Sequence, residues 1–374
     1  MVELNVRPTD IIGGMTAAQK QLIQIAKALS TDARYILLDE PTSSLTRYEA
    51  LKLFRIVRKL REENCCIIFV SHKIDEVMEL CDRVTVLRDG KVIGTRNIPE
   101  ITAQDMVRMM IGRAENVEHL GSLNIREETV LDAKHIGKAG MFEDMNLSLK
   151  KGEILGLYGL VGSGRTEFAR LLCGADPYDQ GEIYINGQKA EIRSMEDAVY
   201  RCKLGYVTEN RKEEGLILPF SVNENMTMGI LHQLINRFRK ISLSRGREAT
   251  AQMIDRMAVK LPCQETAVET LSGGNQQKVS IGKWLLAGCD ILIIDEPTVG
   301  VDVGAKRHIH EIIWNLAKQE GKSIILISSD MTEMITLARR ILVFRDFHIS
   351  SEITGLNDRV YSYDEVSSLI GNAM

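Results

Sequence analysis

One pattern occurs twice in this chain, and that repeat limits the possible folds more than any single motif does. The run Leu271-Ser272-Gly273-Gly274-Asn275-Gln276-Gln277-Lys278 is followed, after an amphipathic stretch, by Ile291-Leu292-Ile293-Ile294-Asp295-Glu296-Pro297. Met15-Thr16-Ala17-Ala18-Gln19-Lys20-Gln21 and Asp39-Glu40-Pro41 stand under these runs at one constant offset of 256 residues (271 − 15 and 295 − 39). The helices that follow agree as well. Leu53, Ile56, Val57 and Leu60 form an apolar face at i, i+3, i+4, i+7, and Ile309, Ile312, Ile313 and Leu316 repeat it. Past this helix one residue is inserted, and Val84–Asp89 pairs with Ile341–Asp346 at an offset of 257 (341 − 84). Both copies close with a short helical run, at Met110-Ile111-Gly112 and Leu369-Ile370-Gly371. The chain therefore reads as two copies of one unit, each needing its own core.

The copies are unequal in front. The second begins near Val130, 141 residues before Leu271 (271 − 130), whereas 14 residues precede Met15. At the same offset the counterpart of Val130 falls at 130 − 256, so about 126 residues are expected upstream to complete the first copy. The expected division is the C-terminal part of a first unit over 1–113, a polar, acidic linker over 114–129, and a complete second unit over 130–374. Within the second unit the order is strand Ile154–Tyr158, a glycine-rich loop and a helix, then antiparallel strands around Ile183–Ile185 and strand Leu204–Val207. A helical insert follows over about Asn223–Lys260, then a helix from Leu271, strand Ile291–Asp295, a helix and strand Ile324–Ser328. Parallel strands alternating with helices predict an α/β, doubly wound core with the insert as a separate lobe.

A length of 374 residues gives room for such units, and 44% hydrophobic with 26% charged residues is a globular composition. The net charge of −4, with no basic stripe, argues against nucleic acid as a partner. No run of apolar residues is long enough to span a bilayer, and the start lacks the basic and apolar regions of a signal peptide, so any membrane role is expected to be peripheral. The seven cysteines show no metal-ligand spacing and are expected to be reduced and mostly buried.

The chemistry concentrates in three places. Gly159-Leu160-Val161-Gly162-Ser163-Gly164-Arg165-Thr166 follows a strand and opens a helix, so its backbone N–H groups can wrap phosphates and Thr166 can ligate Mg²⁺. Arg165 stands where a lysine is usual, and a planar fork does not reproduce an ammonium point charge. At the end of the apolar strand, Asp295 can hold Mg²⁺ through water and Glu296 can polarise an attacking water. Ser272, Gly273, Gly274 and Gln276 put a hydroxyl and bare backbone at a helix start, a second place for a phosphate to approach. Phe142 and His135 are candidates for stacking on adenine, with core packing or a surface turn as the default.

In this order the motifs resemble the phosphate loop, signature and Walker B motifs of ATP-binding cassette (ABC) proteins. Over essentially the whole chain they resemble the two-cassette ATP-binding subunits of bacterial importers for monosaccharides, the ribose, galactose, xylose and autoinducer-2 group. The most specific marks are Gly164–Glu167, Gly205-Tyr206-Val207 with Glu209 and Arg211, Leu271–Lys278, Pro297–Gly304 and Ser328-Ser329-Asp330. The resemblance implies tandem nucleotide-binding domains with a P-loop core, an antiparallel β subdomain and a helical lobe, the first domain truncated. It places Glu209 where these proteins carry the Q-loop glutamine and His72 at the switch histidine, with Ser329 as its counterpart in the second copy. Asp39 and Glu40 become a metal ligand and catalytic base like Asp295 and Glu296.

The family pairs each phosphate loop with the other copy's signature. The hydrolytic site is then the one using Asp39, Glu40, His72 and Leu271–Gln276, and the weaker one uses Gly159–Thr166 with Met15–Gln19, which has lost both glycines. ATP and Mg²⁺ are the implied cofactors. Integral-membrane permease subunits, and through them a periplasmic or lipid-anchored sugar-binding protein, are the implied partners, at the cytoplasmic face of the membrane. The alternative is a truncated, non-hydrolysing nucleotide-binding remnant that docks on the permease. A soluble ABC factor acting on ribosomes or DNA is disfavoured by the acidic linker and the unpatterned cysteines.

Overall fold

The computed structural model describes residues 7, 9–12, 15, 17–30, 33–39, 41–42, 47–71, 74–88, 91–103, 105–106, 109, 120–159, 162–235, 240–301, 303–358, 365–366 and 369–370. Thr16, Glu40, His72 and the closing run at 110–112 lie outside these. The chain divides into two compact units, Met1–Glu115 and Asn116–Met374.

The first unit runs α1 (Ala17–Leu29), β1 (Tyr35–Asp39), α2 (Arg47–Glu62), β2 (Cys66–Val70), α3 (Ile74–Leu80), β3 (Arg83–Arg88) and β4 (Lys91–Asn97). β1 and β2 pair in parallel from Tyr35 opposite Cys66 to Asp39 opposite Val70, and β3 and β4 form an antiparallel hairpin. Ile36 and Leu38 of β1 join Leu53, Phe54, Val57 and Leu60 of α2 in one small core, the face that the i, i+3, i+4, i+7 spacing predicts.

In the second unit the order is β5 (Thr129–Lys138), β6 (Phe142–Lys150), β7 (Ile154–Gly159), α4 (Arg165–Leu172), β8 (Gln180–Ile185), β9 (Gln188–Ala190) and β10 (Leu204–Val207). It continues with α5 (Val222–Thr227), α6 (Leu243–Met257), α7 (Gly273–Leu286), β11 (Ile291–Asp295), α8 (Val303–Lys318), β12 (Ser323–Ser328), α9 (Met331–Leu337), β13 (Arg340–Arg345) and β14 (His348–Ile353). A six-stranded sheet has the order β10-β11-β12-β7-β13-β14, parallel except for β14. A separate antiparallel sheet has the order β6-β5-β8-β9.

The central strands are apolar throughout because both faces are covered. Leu292, Ile294, Ile324 and Leu326 pack on one side with Ile309 and Ile313 of α8. Ile291, Ile293, Ile325 and Ile327 pack on the other with Phe168 and Leu171 of α4. The repeat counterparts of this second set are Tyr35, Leu37, Ile68 and Val70, which are 82%, 69%, 54% and 44% exposed. Equal sequence patterns thus end in different burial, and the second copy's set is covered by α4 and the antiparallel sheet.

The polar stretch before β5 is seated on the second unit. Leu123 is buried and its N–H donates to Asn357 Oδ1 at 2.8 Å, while Arg339 Nη2 donates to the Gly121 carbonyl at 2.9 Å. All seven cysteines are free, but only Cys173, Cys202 and Cys289 are buried, whereas Cys66 and Cys263 are exposed. Cys66 is exposed because it lies on the face of β2 shared with Ile68 and Val70.

Candidate functional site

β7 delivers the glycine-rich loop, where Gly159 and Gly164 answer a steric demand and Gly162 a left-handed backbone at φ +81. A Cβ on Gly159 would lie 2.6 Å from both the Phe344 carbonyl and Ser163 Oγ. Gly164 is left-handed at φ +101 and caps α4, where a Cβ would lie 2.7 Å from the Phe347 ring. The turn between β13 and β14 shapes the loop from below, with the Phe347 N–H donating to the Ser163 carbonyl at 2.9 Å. Ser163 is buried and its Oγ has no hydrogen-bond partner.

At the end of β11 the two acids differ in their surroundings. Asp295 is fully buried, and Tyr206 of β10 donates its hydroxyl to Oδ2 at 3.1 Å. Burial pushes the Asp295 carboxyl up to about 7, with the Thr166 and Tyr206 hydroxyls acting against it and the Glu209 and Glu296 charges adding to it. Thr166 lies close enough to act on that carboxyl, but Oδ1 is buried with no well-formed hydrogen bond. Glu209 itself is exposed.

Glu296 follows in the left-handed region at φ +42, a strained conformation for a residue with a side chain. Its Oε1 accepts the Ser329 N–H at 2.8 Å and lies 3.5 Å from Arg165 Nη1, with both side chains buried. Burial raises the Glu296 carboxyl, opposed by Arg165 and by the Ser329 contacts. Behind it, His310 Nε2 meets the fully buried Glu333 at 2.7 Å, and Lys306 pairs with Asp330, which caps α9.

The glycine-rich start of α7 forms a second locus. Ser272 caps the helix, and its Oγ accepts from Asn275 Nδ2 at 3.1 Å. A Cβ on Gly273 would lie 2.4 Å from the Gly300 carbonyl, and one on Gly274 2.7 Å from Ala305. Gln276 turns inward, donating to the carbonyls of Val268 at 3.1 Å and Leu271 at 3.2 Å, so its amide serves the local backbone. Arg211, at the turn after β10, donates to the carbonyls of Val299 at 2.7 Å and Gly300 at 3.1 Å. It thereby ties that turn to the loop that follows the acid pair.

The structure thus brings Arg165 to Glu296 and Thr166 to Asp295. Asp39 ends β1 as an exposed residue, and Glu40 and His72 lie outside the described residues. Phe142 is buried edge-to-face against Phe168 and Phe347, at 5.6 and 5.5 Å, so it belongs to the core. His135 is not in a turn but lies within β5, exposed at an irregularity of the strand with φ +53, and pairs with Asp144 at 2.5 Å. Sequence reasoning gave no role to Tyr206 or to the Ser329 N–H. The one available signal for Tyr206 was a polar tip in an otherwise apolar strand, beside the strand ending in Asp295.

The donor set fits a Mg²⁺-bound polyphosphate. The buried Ser163 Oγ and Asp295 Oδ1 are a donor and an acceptor without a well-formed hydrogen bond, and a Cβ on Gly159 or Gly164 of the loop would clash with its neighbours. Among the described residues no three His, Cys, Asp or Glu side chains converge on a metal site, so a cation here would rely on Thr166, Asp295 and phosphate oxygens.

Comparison with known proteins agrees. A family model described as ABC transporter matches residues 142–299. A ribose import ATP-binding protein of Bacillus cereus is 40% identical over 92% of this chain and 69% of its own length. A Halalkalibacterium halodurans protein named for ribose, galactose and methyl galactoside import is 41% identical over 94% of this chain and 67% of its own. The chain thus spans about two thirds of the length of these relatives. Among solved structures, the ADP form of an ATP-binding cassette of an ABC transporter aligns with a TM-score of 0.54 at 17% identity, covering 66% of this chain and 98% of that one. A dimeric cassette bound to ADP and phosphate aligns with a TM-score of 0.53 at 21% identity, covering 60% and 98%. These two bear on the fold alone, whereas the sequence relatives place the chain: it belongs to the ABC transporter family, among the import ATP-binding proteins.

Proposed function

We propose that the second unit binds Mg²⁺–ATP on Gly159–Thr166 and that the chain is the energy-coupling subunit of an importer for a monosaccharide or related small carbohydrate. In this reading it works at the cytoplasmic face of the membrane on integral-membrane permease subunits, and through them with a periplasmic or lipid-anchored sugar-binding protein. The names of the relatives support the sugar. Among the described residues no helix is long and apolar enough to cross a membrane.

The observation that carries the reading is the meeting of Arg165 with Glu296 and of Thr166 with Asp295, at the end of a glycine-rich loop whose buried Ser163 Oγ has no hydrogen-bond partner. Backbone N–H groups of the loop and the start of α4 would hold the phosphates, with Gly159, Gly162 and Gly164 admitting them. Thr166 and Asp295 would hold Mg²⁺, which when bound supplies charge neutralisation along the phosphates. Glu296, fixed by the Ser329 N–H, would orient a water, and Glu209 would approach the metal's water shell. Ser272, Gly273 and Gly274 offer bare helix-start N–H groups to a phosphate; Gln276 holds that helix start in place through its backbone bonds. The first unit's Asp39, Glu40 and His72 are assigned as metal ligand, base and γ-phosphate contact.

A second reading, a non-hydrolysing nucleotide clamp, is favoured by one feature of this site: the cation and the base are engaged with each other, and Ser329 replaces a histidine. The two are separated by measuring ATP hydrolysis and binding of a fluorescent ATP analogue by the purified chain, with Glu296→Gln, Glu40→Gln and Gly164→Asp. Turnover lost in Glu40→Gln supports hydrolysis by the first unit's residues, and turnover lost only in Glu296→Gln places it in the second. Binding without turnover supports the clamp, and binding unaffected by Gly164→Asp would refute the phosphate loop.

A further inference from the structure

Arg165 opens α4, and its Nη1 lies 3.5 Å from Glu296 Oε1 with the two side chains 7% and 10% exposed. The same oxygen accepts the Ser329 N–H at 2.8 Å, and the Glu296 N–H donates to the Ile327 carbonyl at 2.9 Å. The acid is therefore held at both backbone and side chain, whereas the guanidinium sits on a long, rotatable stem at a helix start. Among the described residues Arg165 is the cation acting on Glu296; the other titratable side chain that acts on it, Glu333, is an acid. A triphosphate entering the loop is a stronger and bidentate partner for a guanidinium than one carboxylate oxygen at this distance.

We propose that Arg165 is an exchange residue: it neutralises Glu296 before nucleotide binds and transfers to the terminal phosphates on binding, so competition with Glu296 sets the affinity for triphosphate. A lysine ammonium, shorter and without the fork, could not bridge these two roles in the same way. Arg165 is thus an affinity-setting residue. The inference rests on the nucleotide reading of Gly159–Thr166 and adds to it what limits occupancy.

The test is a double-mutant cycle on binding. A methylanthraniloyl derivative of a non-hydrolysable ATP analogue is titrated with Mg²⁺ into the full chain, Glu296→Gln, Arg165→Met and the double variant. Glu296→Gln is expected to lower Kd about tenfold with Arg165 present, and by less than about twofold in the Arg165→Met background. An equal gain in both backgrounds, as like-charge repulsion alone would give, overturns the exchange, and so does no gain with Arg165 present. Arg165→Gln, neutral and polar, replaces Arg165→Met if circular dichroism shows that variant unfolded, with the same expected outcome. Absence of saturable binding by every chain defeats the nucleotide reading and the exchange together, whereas binding with additive effects defeats the exchange alone.

Discussion

Gly164 is the residue at which backbone and packing constraints meet most sharply. With φ at +101 and a Cβ position 2.7 Å from the Phe347 ring, Gly164→Ala should cost about 2 kcal/mol by urea denaturation and weaken nucleotide binding. Adding Phe347→Ala should recover part of that stability, since it removes the nearest contact but neither the φ strain nor the 3.1 and 3.2 Å approaches to the Phe142 ring and the residue 347 backbone. Lys283 makes a different kind of demand. Its Nζ is buried and donates to the Gly215 carbonyl at 2.7 Å, and burial lowers its pKa from 10.5 to about 8. Between those values the unfolded chain binds more protons than the folded one, so the Lys283 contribution to stability rises with pH across that window. Urea midpoints measured across it should climb in the parent chain and flatten in Lys283→Met. Arg211 was visible in the sequence only as part of a recognisable run; its two carbonyl contacts, 88 and 89 residues away, could not be read from local pattern.

At the scale of elements, β1 and β11 present the same kind of strand in different surroundings. Leu37 and Ile293 are repeat counterparts, yet the first is 69% exposed and the second is buried between two layers. Ile293→Lys should therefore unfold the second unit or cost at least about 4 kcal/mol, while Leu37→Lys should change stability by about 0.5 kcal/mol or less. Paired urea curves decide this, and similar costs would contradict the difference in packing. The helices were legible because their apolar residues recur every three to four positions. The burial of a strand's second face was not, since it depends on whether a distant helix such as α4 lies over it.

For the whole molecule, two units with separate cores should unfold separately. Calorimetry is expected to show two transitions, with the smaller first unit melting earlier and a 116–374 fragment keeping the later one; a single transition would argue against independent units. The repeat, the strand–loop–helix setting of Gly159–Thr166 and the position of Asp295-Glu296 at a strand end were all present in the order of residues, because glycine geometry and apolar periodicity act over a few neighbours. The pairing of Arg165 with Glu296, the Tyr206 hydroxyl on Asp295, and which strand face of the first unit is exposed, that of Tyr35, Leu37, Ile68 and Val70, were decided only by tertiary structure. Each depends on sheet order and on which elements cover a strand, and these bring together side chains that chain position keeps as much as 131 residues apart (296 − 165).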